Sequence, residues 1–237
     1  MTLTENIAAV QSRINAAALR AGRDPGEISL VAATKVQTSQ TIRDAIASGI
    51  RICGENRVQE MAAHLDDDAY AGARLHFIGH LQTNKVKQVV GRVDLIESVD
   101  SQRLLEAISK RAVDLELVQD VLLEVNIAGE ESKGGVLPNH LPALVEKALE
   151  LPHIRLRGLM CIPPVVSAGQ SNRKFFAQTR QLFVDINSKI ADNNPEIDCL
   201  SMGMSGDFEE AVEEGATLVR VGTALFGPRP PLAENRK

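Results

Sequence analysis

Lys35 closes the run Ile28-Ser29-Leu30-Val31-Ala32-Ala33-Thr34, an apolar stretch with the character of a buried strand that ends on an amine. Burial at such a place favours the neutral form of the amine, which lowers its pKa and exposes a lone pair able to attack a carbonyl. Two loops late in the chain carry a different chemistry. Ser201-Met202-Gly203-Met204-Ser205-Gly206-Asp207 runs into the helical segment 208–213, and Val221-Gly222-Thr223-Ala224-Leu225-Phe226-Gly227 follows another apolar run. Glycines let backbone approach an anion, N–H groups at a helix start point toward it, and hydroxyls add donors, so each loop suits a monophosphate. A single loop of this kind reads equally well as a tight turn; two at the right places favour a cradle. Within Thr217-Leu218-Val219-Arg220-Val221, alternation sets Leu218, Arg220 and Gly222 on one face. A buried guanidinium there needs an acceptor, either a ligand atom or an interior acid such as Glu97 or Glu124.

The elements that must position these groups alternate. Short β-rich runs near 28–34, 50–53, 75–79, 93–98, 119–127, 154–160, 197–201 and 217–222 are separated by helical segments near 38–48, 101–113, 138–150 and 174–192. Eight strand-helix units in 237 residues fit a closed (β/α)8 barrel better than an open doubly wound sheet, which more often has fewer strands. An extra helix over 2–21 opens the chain like a lid, with Thr2 and Glu5 at capping-box spacing. The expectation is one barrel domain over 1–237, with a flexible tail at 228–237. In such a barrel chemistry gathers at the C-terminal ends of the strands and phosphate at the loops after strands seven and eight, where the two glycine loops fall. Closure also makes strands one and eight neighbours, so Lys35 and Arg220 can meet. An aldehyde-reactive lysine, a two-loop phosphate cradle and a buried arginine for the ring nitrogen together describe a pyridoxal 5'-phosphate (PLP) site.

Seven segments carry a resemblance across the whole chain: Val31-Ala-Ala-Thr-Lys35, Gly54-Glu-Asn-Arg-Val-Gln-Glu60, His76-Phe-Ile-Gly-His-Leu-Gln-Thr-Asn-Lys85, Ser132-Lys-Gly-Gly135, Gly158-Leu-Met-Cys-Ile-Pro-Pro164, Leu200-Ser-Met-Gly-Met-Ser-Gly-Asp207 and Val219-Arg-Val-Gly-Thr-Ala-Leu-Phe-Gly227. In these the chain resembles the YggS/PROSC family of PLP homeostasis proteins. The resemblance implies a TIM barrel like the N-terminal domain of alanine racemase, the fold type III scaffold, and a Schiff base on Lys35. It also implies phosphate contacts from Ser205, Gly222 and Thr223, a ring-nitrogen contact from Arg220, and Asn56 beside the cofactor. Lys85 and Lys133 resemble further family lysines near the rim, with ordinary surface charge as their alternative. Gly134 stands where the family pattern has serine, and Cys161 where it has threonine or alanine; Cys161 reads as a small buried residue.

The same residues bear on turnover. An arginine that donates to the ring nitrogen leaves it unprotonated and makes the cofactor a poor electron sink. Racemases, by the resemblance, bring a second base, a tyrosine, from a separate C-terminal domain. Here the chain ends with the barrel, and its one tyrosine, Tyr70, reads as a surface or packing residue in the segment 66–73. The expectation is therefore a non-catalytic protein that holds PLP and contributes to vitamin B6 and amino-acid homeostasis. The alternatives are a PLP-dependent racemase or lyase of narrow specificity, or a Schiff-base aldolase on the same barrel. PLP-dependent apo-enzymes are the expected protein partners, and the expected state is a monomer in the cytoplasm. Twenty-six basic against 31 acidic residues, a net charge of -5, offer no broad field for nucleic acid or anionic lipid. No stretch reaches the length of a membrane helix, three scattered cysteines make no disulfide framework, and His76 and His80 lack a third partner for a metal. His64, His140 and His153 read as isolated.

Overall fold

The computed structural model describes residues 2–130, 132–164, 170–190 and 197–228. Eight parallel strands close into a barrel in sequence order, β1 (Ser29–Ala33), β2 (Ile52–Glu55), β3 (Arg74–Phe77), β4 (Leu95–Val99), β5 (Gln119–Val125), β6 (Ile154–Cys161), β7 (Cys199–Ser201) and β8 (Leu218–Val221). The register between β1 and β8 pairs Val31 with Arg220, so the predicted adjacency of the first and last strands is real. Parallel strands are covered on both faces, and β5 accordingly is buried along its full length. Inside the barrel Val31, Ile52, Leu95, Leu122, Met160 and Leu218 pack together, while a larger apolar layer lies between strands and helices.

The outer layer comprises α1 (Leu3–Arg20), α2 (Ser39–Ala47), α3 (Val58–Asp66), α4 (Gln102–Asp114), α5 (Leu141–Glu150), α6 (Arg173–Ile190), α7 (Phe208–Glu213) and α8 (Thr223–Phe226). A 3-10 turn, Thr83–Gln88, replaces an α-helix in the crossover from β3 to β4. The first helix carries the expected capping box, Thr2 with Glu5, and buries Ile7, Val10, Ile14, Ala17 and Ala18 along one face. It is not a lid. It lies on the outside of the barrel against α7 and α8, tied by Arg13 to Glu209 at 2.6 Å and by Asn6 to the Leu225 carbonyl at 2.8 Å. The last helix spans only four residues, so α1 supplies the cover that a full-length α8 would give.

Three acidic residues at 66–68 end α3 as a solvated helix terminus, with Asp68 left-handed at φ 51°. Of the tail expected to be flexible, only Pro228 falls within the described residues. Among the described residues no helix is long and apolar enough to cross a membrane, and no group of three metal-ligating side chains occurs.

Candidate functional site

The C-terminal ends of the strands enclose a cavity of about 720 Å³. The six residues expected around the cofactor line it: Lys35, Asn56, Ser205, Arg220, Gly222 and Thr223. Lys35 follows β1 at the first corner of a turn closed by Gln37 N–H donating to the Thr34 carbonyl at 3.0 Å. Val36, at the second corner, is held at φ 59°, a left-handed setting that disfavours a β-branched residue; its N–H donates to Glu60 at 2.9 Å. Behind the lysine, Thr34 is fully buried and donates to Glu55 Oε1 at 2.6 Å. The same oxygen accepts from Tyr70 at 2.9 Å, and His64 Nδ1 lies 3.1 Å from the Tyr70 hydroxyl. Tyr70 is thus a buried packing residue in a polar cluster outside the cavity, and His64 is not isolated. Burial pushes Glu55 above the usual carboxylate range against the hydrogen bonds of Thr34 and Tyr70, and burial with the Glu55 charge pushes the Tyr70 phenol up.

Across the cavity the two glycine loops meet. Ser205 Oγ accepts from the backbone N–H groups of Gly222 at 3.2 Å and Ala224 at 3.3 Å, which pins one loop to the other. The N–H groups of Ser205, Gly206 and Thr223 have no acceptor among the described residues. Gly203, at φ 89°, leaves no room for a Cβ, which would meet that of Ala211 at 2.5 Å; this close approach seats the loop on α7. Three unpaired donors beside a serine hydroxyl and Thr223 are the donor set a phosphate requires.

Arg220 rises from the barrel interior to the cavity floor. Its NH1 donates to Ser201 Oγ and its NH2 to the Cys161 carbonyl at 2.9 Å, while Nε makes no hydrogen bond among the described residues. Of the two interior acids considered as its partner, Glu97 lies 3.9 Å from NH1 and is linked to it through Ser201. Burial alone would raise the Glu97 pKa, but the hydrogen bond and charge of His76, the charge of Arg220 and the Ser201 hydroxyl hold it below the usual carboxylate range. The other acid, Glu124, lines the cavity with no side-chain hydrogen bond among the described residues, and burial raises its pKa despite the opposing charge of Arg220.

Asn56 presents a buried Oδ1 with no partner among the described residues. Gly79 presses on its backbone from β3's end, where any Cβ would sit 2.2 Å from the Asn56 carbonyl oxygen. Lys133 lines the cavity and is held by Glu130 at 2.6 Å and the Pro163 carbonyl at 2.9 Å, whereas Lys85, in the 3-10 turn, does not line it. His80 joins the rim, 3.6 Å from Asp100. His76 points inward instead and donates to Glu97 at 2.7 Å. Cys161 is fully buried, its thiol pushed up to about 11 by burial.

Residues 3–230 match the family model described as the alanine racemase N-terminal domain, the class of barrel that this fold and strand-end lysine define. The pyridoxal phosphate homeostasis protein of Aquifex aeolicus is 44% identical over 229 residues, covering 97% of this chain and 99% of that one. Among solved structures, an unknown protein from Bifidobacterium adolescentis superposes with a TM-score of 0.86 at 42% identity, over 94% of each chain. PipY of Synechococcus elongatus, determined with PLP bound, superposes with a TM-score of 0.82 at 33% identity, over 95% of this chain and 100% of that one. The chain belongs to the pyridoxal phosphate homeostasis protein family, as its seven motif segments led one to expect.

Proposed function

We propose that this protein holds PLP covalently on the Lys35 amine and serves the supply of that cofactor, without efficient turnover of amino acids. The observation that carries the reading is the convergence on one cavity of a strand-end lysine, a two-loop set of unpaired N–H donors, and an arginine whose Nε makes no hydrogen bond among the described residues. The orphaned Asn56 Oδ1 at the same cavity fits a polar ligand there as well. PLP, when bound, supplies an aldehyde for an amine, and a ring and phosphate for recognition. Lys35 is the nucleophile, held in place by its turn and by the Thr34–Glu55 contact behind it. The N–H groups of Ser205, Gly206 and Thr223 receive the phosphate, while Gly222, its own N–H donating to Ser205 Oγ, gives the backbone close approach and Ser205 holds the two loops in register. Arg220 donates to the ring nitrogen and, being unable to give up its proton, leaves that nitrogen an acceptor.

The weak-turnover side of the reading is supported by Tyr70, whose hydroxyl is engaged by Glu55 and His64 away from the cavity. A second reading, a PLP-dependent racemase or lyase of narrow specificity, is favoured by Glu124, an unbonded carboxyl in the cavity whose raised pKa suits proton transfer. Borohydride reduction of the PLP-loaded protein followed by peptide mapping tests the first claim: the adduct falls on Lys35 and is lost in Lys35→Ala. An adduct on Lys133, or none, refutes it. Deuterium exchange at Cα across a panel of amino acids tests the second, and fast exchange of any one amino acid favours the enzyme.

A further inference from the structure

The barrel interior contains a line of polar groups that packing alone does not call for. Layers inside such barrels are ordinarily filled by branched apolar side chains. Here His76 from β3, Glu97 from β4, Ser201 from β7 and Arg220 from β8 replace them, none more than 4% exposed, amid the apolar cluster around Leu95, Leu122 and Leu218. His76 Nδ1 donates to Glu97 Oε1 at 2.7 Å, the proton being placed there because the acceptor is a carboxylate. Ser201 Oγ donates to Glu97 Oε2 at 2.6 Å and in turn accepts from Arg220 NH1. Buried ion pairs of this kind add little stability over an apolar filling, so their presence asks for another reason.

We propose that His76, Glu97 and Ser201 are positioning residues that fix the direction of Arg220 toward the cofactor ring and balance its charge. The inference rests on the reading of the cavity as the PLP site. Glu97 has a donor on each oxygen, so it can neither rotate nor accept a further proton cheaply, and it stands as a fixed countercharge 3.9 Å from Arg220 NH1. The two terminal nitrogens of Arg220 are anchored, one on Ser201 and one on the Cys161 carbonyl. That fixes the plane of the guanidinium and leaves an N–H donor with a single orientation for the ring nitrogen. The Glu97 carboxylate also balances the charge that the guanidinium, always protonated, carries into the barrel interior. The line ends on His76, whose Nε2 is buried with no partner among the described residues and whose side chain lines a separate cavity of about 430 Å³ at the N-terminal mouth beside Arg74 and Arg157. The ring nitrogen is thereby tied through four side chains to the opposite end of the barrel.

The test compares Glu97→Gln, His76→Phe and Ser201→Ala with the conservative His76→Gln, and with Ile14→Ala as a destabilised control remote from the cavity. Each is loaded with PLP, its visible absorption recorded at fixed pH, its PLP affinity titrated, and its borohydride adduct mapped. The first three shift the visible bands and bind PLP about tenfold more weakly, the loss of one oriented charge-assisted hydrogen bond. His76→Gln, which keeps an N–H donor, restores the spectrum, and Ile14→Ala leaves it unchanged despite lower stability. The adduct stays on Lys35 throughout. Wild-type spectra and affinity in both Glu97→Gln and Ser201→Ala overturn the proposal while leaving the PLP site standing; absence of a Lys35 adduct in the wild type overturns both. Should Glu97→Gln not fold, Ser201→Ala, which removes a single hydroxyl, decides.

Discussion

Gly79→Ala places a methyl group where the chain has no space for one. The new Cβ would lie 2.2 Å from the Asn56 carbonyl oxygen, 2.6 Å from its Cα and 2.7 Å from its carbonyl carbon, all backbone atoms that cannot swing aside. Real Cβ contacts essentially never fall under 3.0 Å, so the Asn56 backbone must retreat by about 0.8 Å. The φ of Gly79 lies outside the left-handed range, so the cost is steric alone, about 1–3 kcal/mol by the usual measure of overpacking. On the proposed reading, a hydrogen bond between PLP and Asn56 stretched by that amount passes out of range, a loss of about 0.5–1.5 kcal/mol, or roughly two- to tenfold in PLP affinity. Urea unfolding of the apo-protein reads the first quantity, and titration of apo-protein with PLP reads the second. Ile14→Ala, which hollows the α1 packing and costs about 2–5 kcal/mol, serves as the comparison that loses stability but not affinity. A Gly79→Ala protein with wild-type urea midpoint and PLP affinity would refute the reasoning.

Two further outcomes follow from burial. The native state keeps a proton on Glu124 to higher pH than the unfolded chain does, so this residue makes stability fall as pH rises from the ordinary carboxylate value through the raised one. Glu124→Gln removes that contribution, flattens the slope across that window and is more stable than wild type near neutral pH; urea midpoints measured against pH check the sign, and an unchanged profile contradicts it. Burial pushes the thiols of Cys161 up to about 11 and of Cys53 up to about 12, leaving both neutral near pH 7. Alkylation followed by mass spectrometry therefore finds both intact in the folded protein and modified after denaturation; rapid labelling of Cys161 in the native state counts against the packing described.

Much of the barrel was legible because parallel strands buried on both faces leave continuous apolar runs, and the glycine loops fall where the fold puts phosphate. Lys35 and Arg220 were legible as a pair once closure was inferred, and the β1–β8 register brings their strands together. Less legible was anything that depends on register between strands distant in sequence. Alternation alone turns His76 inward, but only the placement of β3 beside β4 sets it against Glu97. The helix α3 begins at Val58 behind Arg57, which makes no side-chain cap, so it left no start signal, and its return is what carries His64 to Tyr70 and Glu55. Lys133 and Glu124 share the cavity through the turn after β5, where Val136 pairs back onto Val125, a fold-back without periodicity to betray it.

The first helix draws its partners from the far end of the polypeptide: Asn6 is fastened to Leu225 across 219 positions, and Arg13 to Glu209 across 196. On a ribosome α1 emerges long before either acceptor exists, with its apolar stripe uncovered meanwhile. Ring closure and helix docking are therefore coupled late events, since neither can finish before the last strand and the segments around Glu209 and Leu225 have been made.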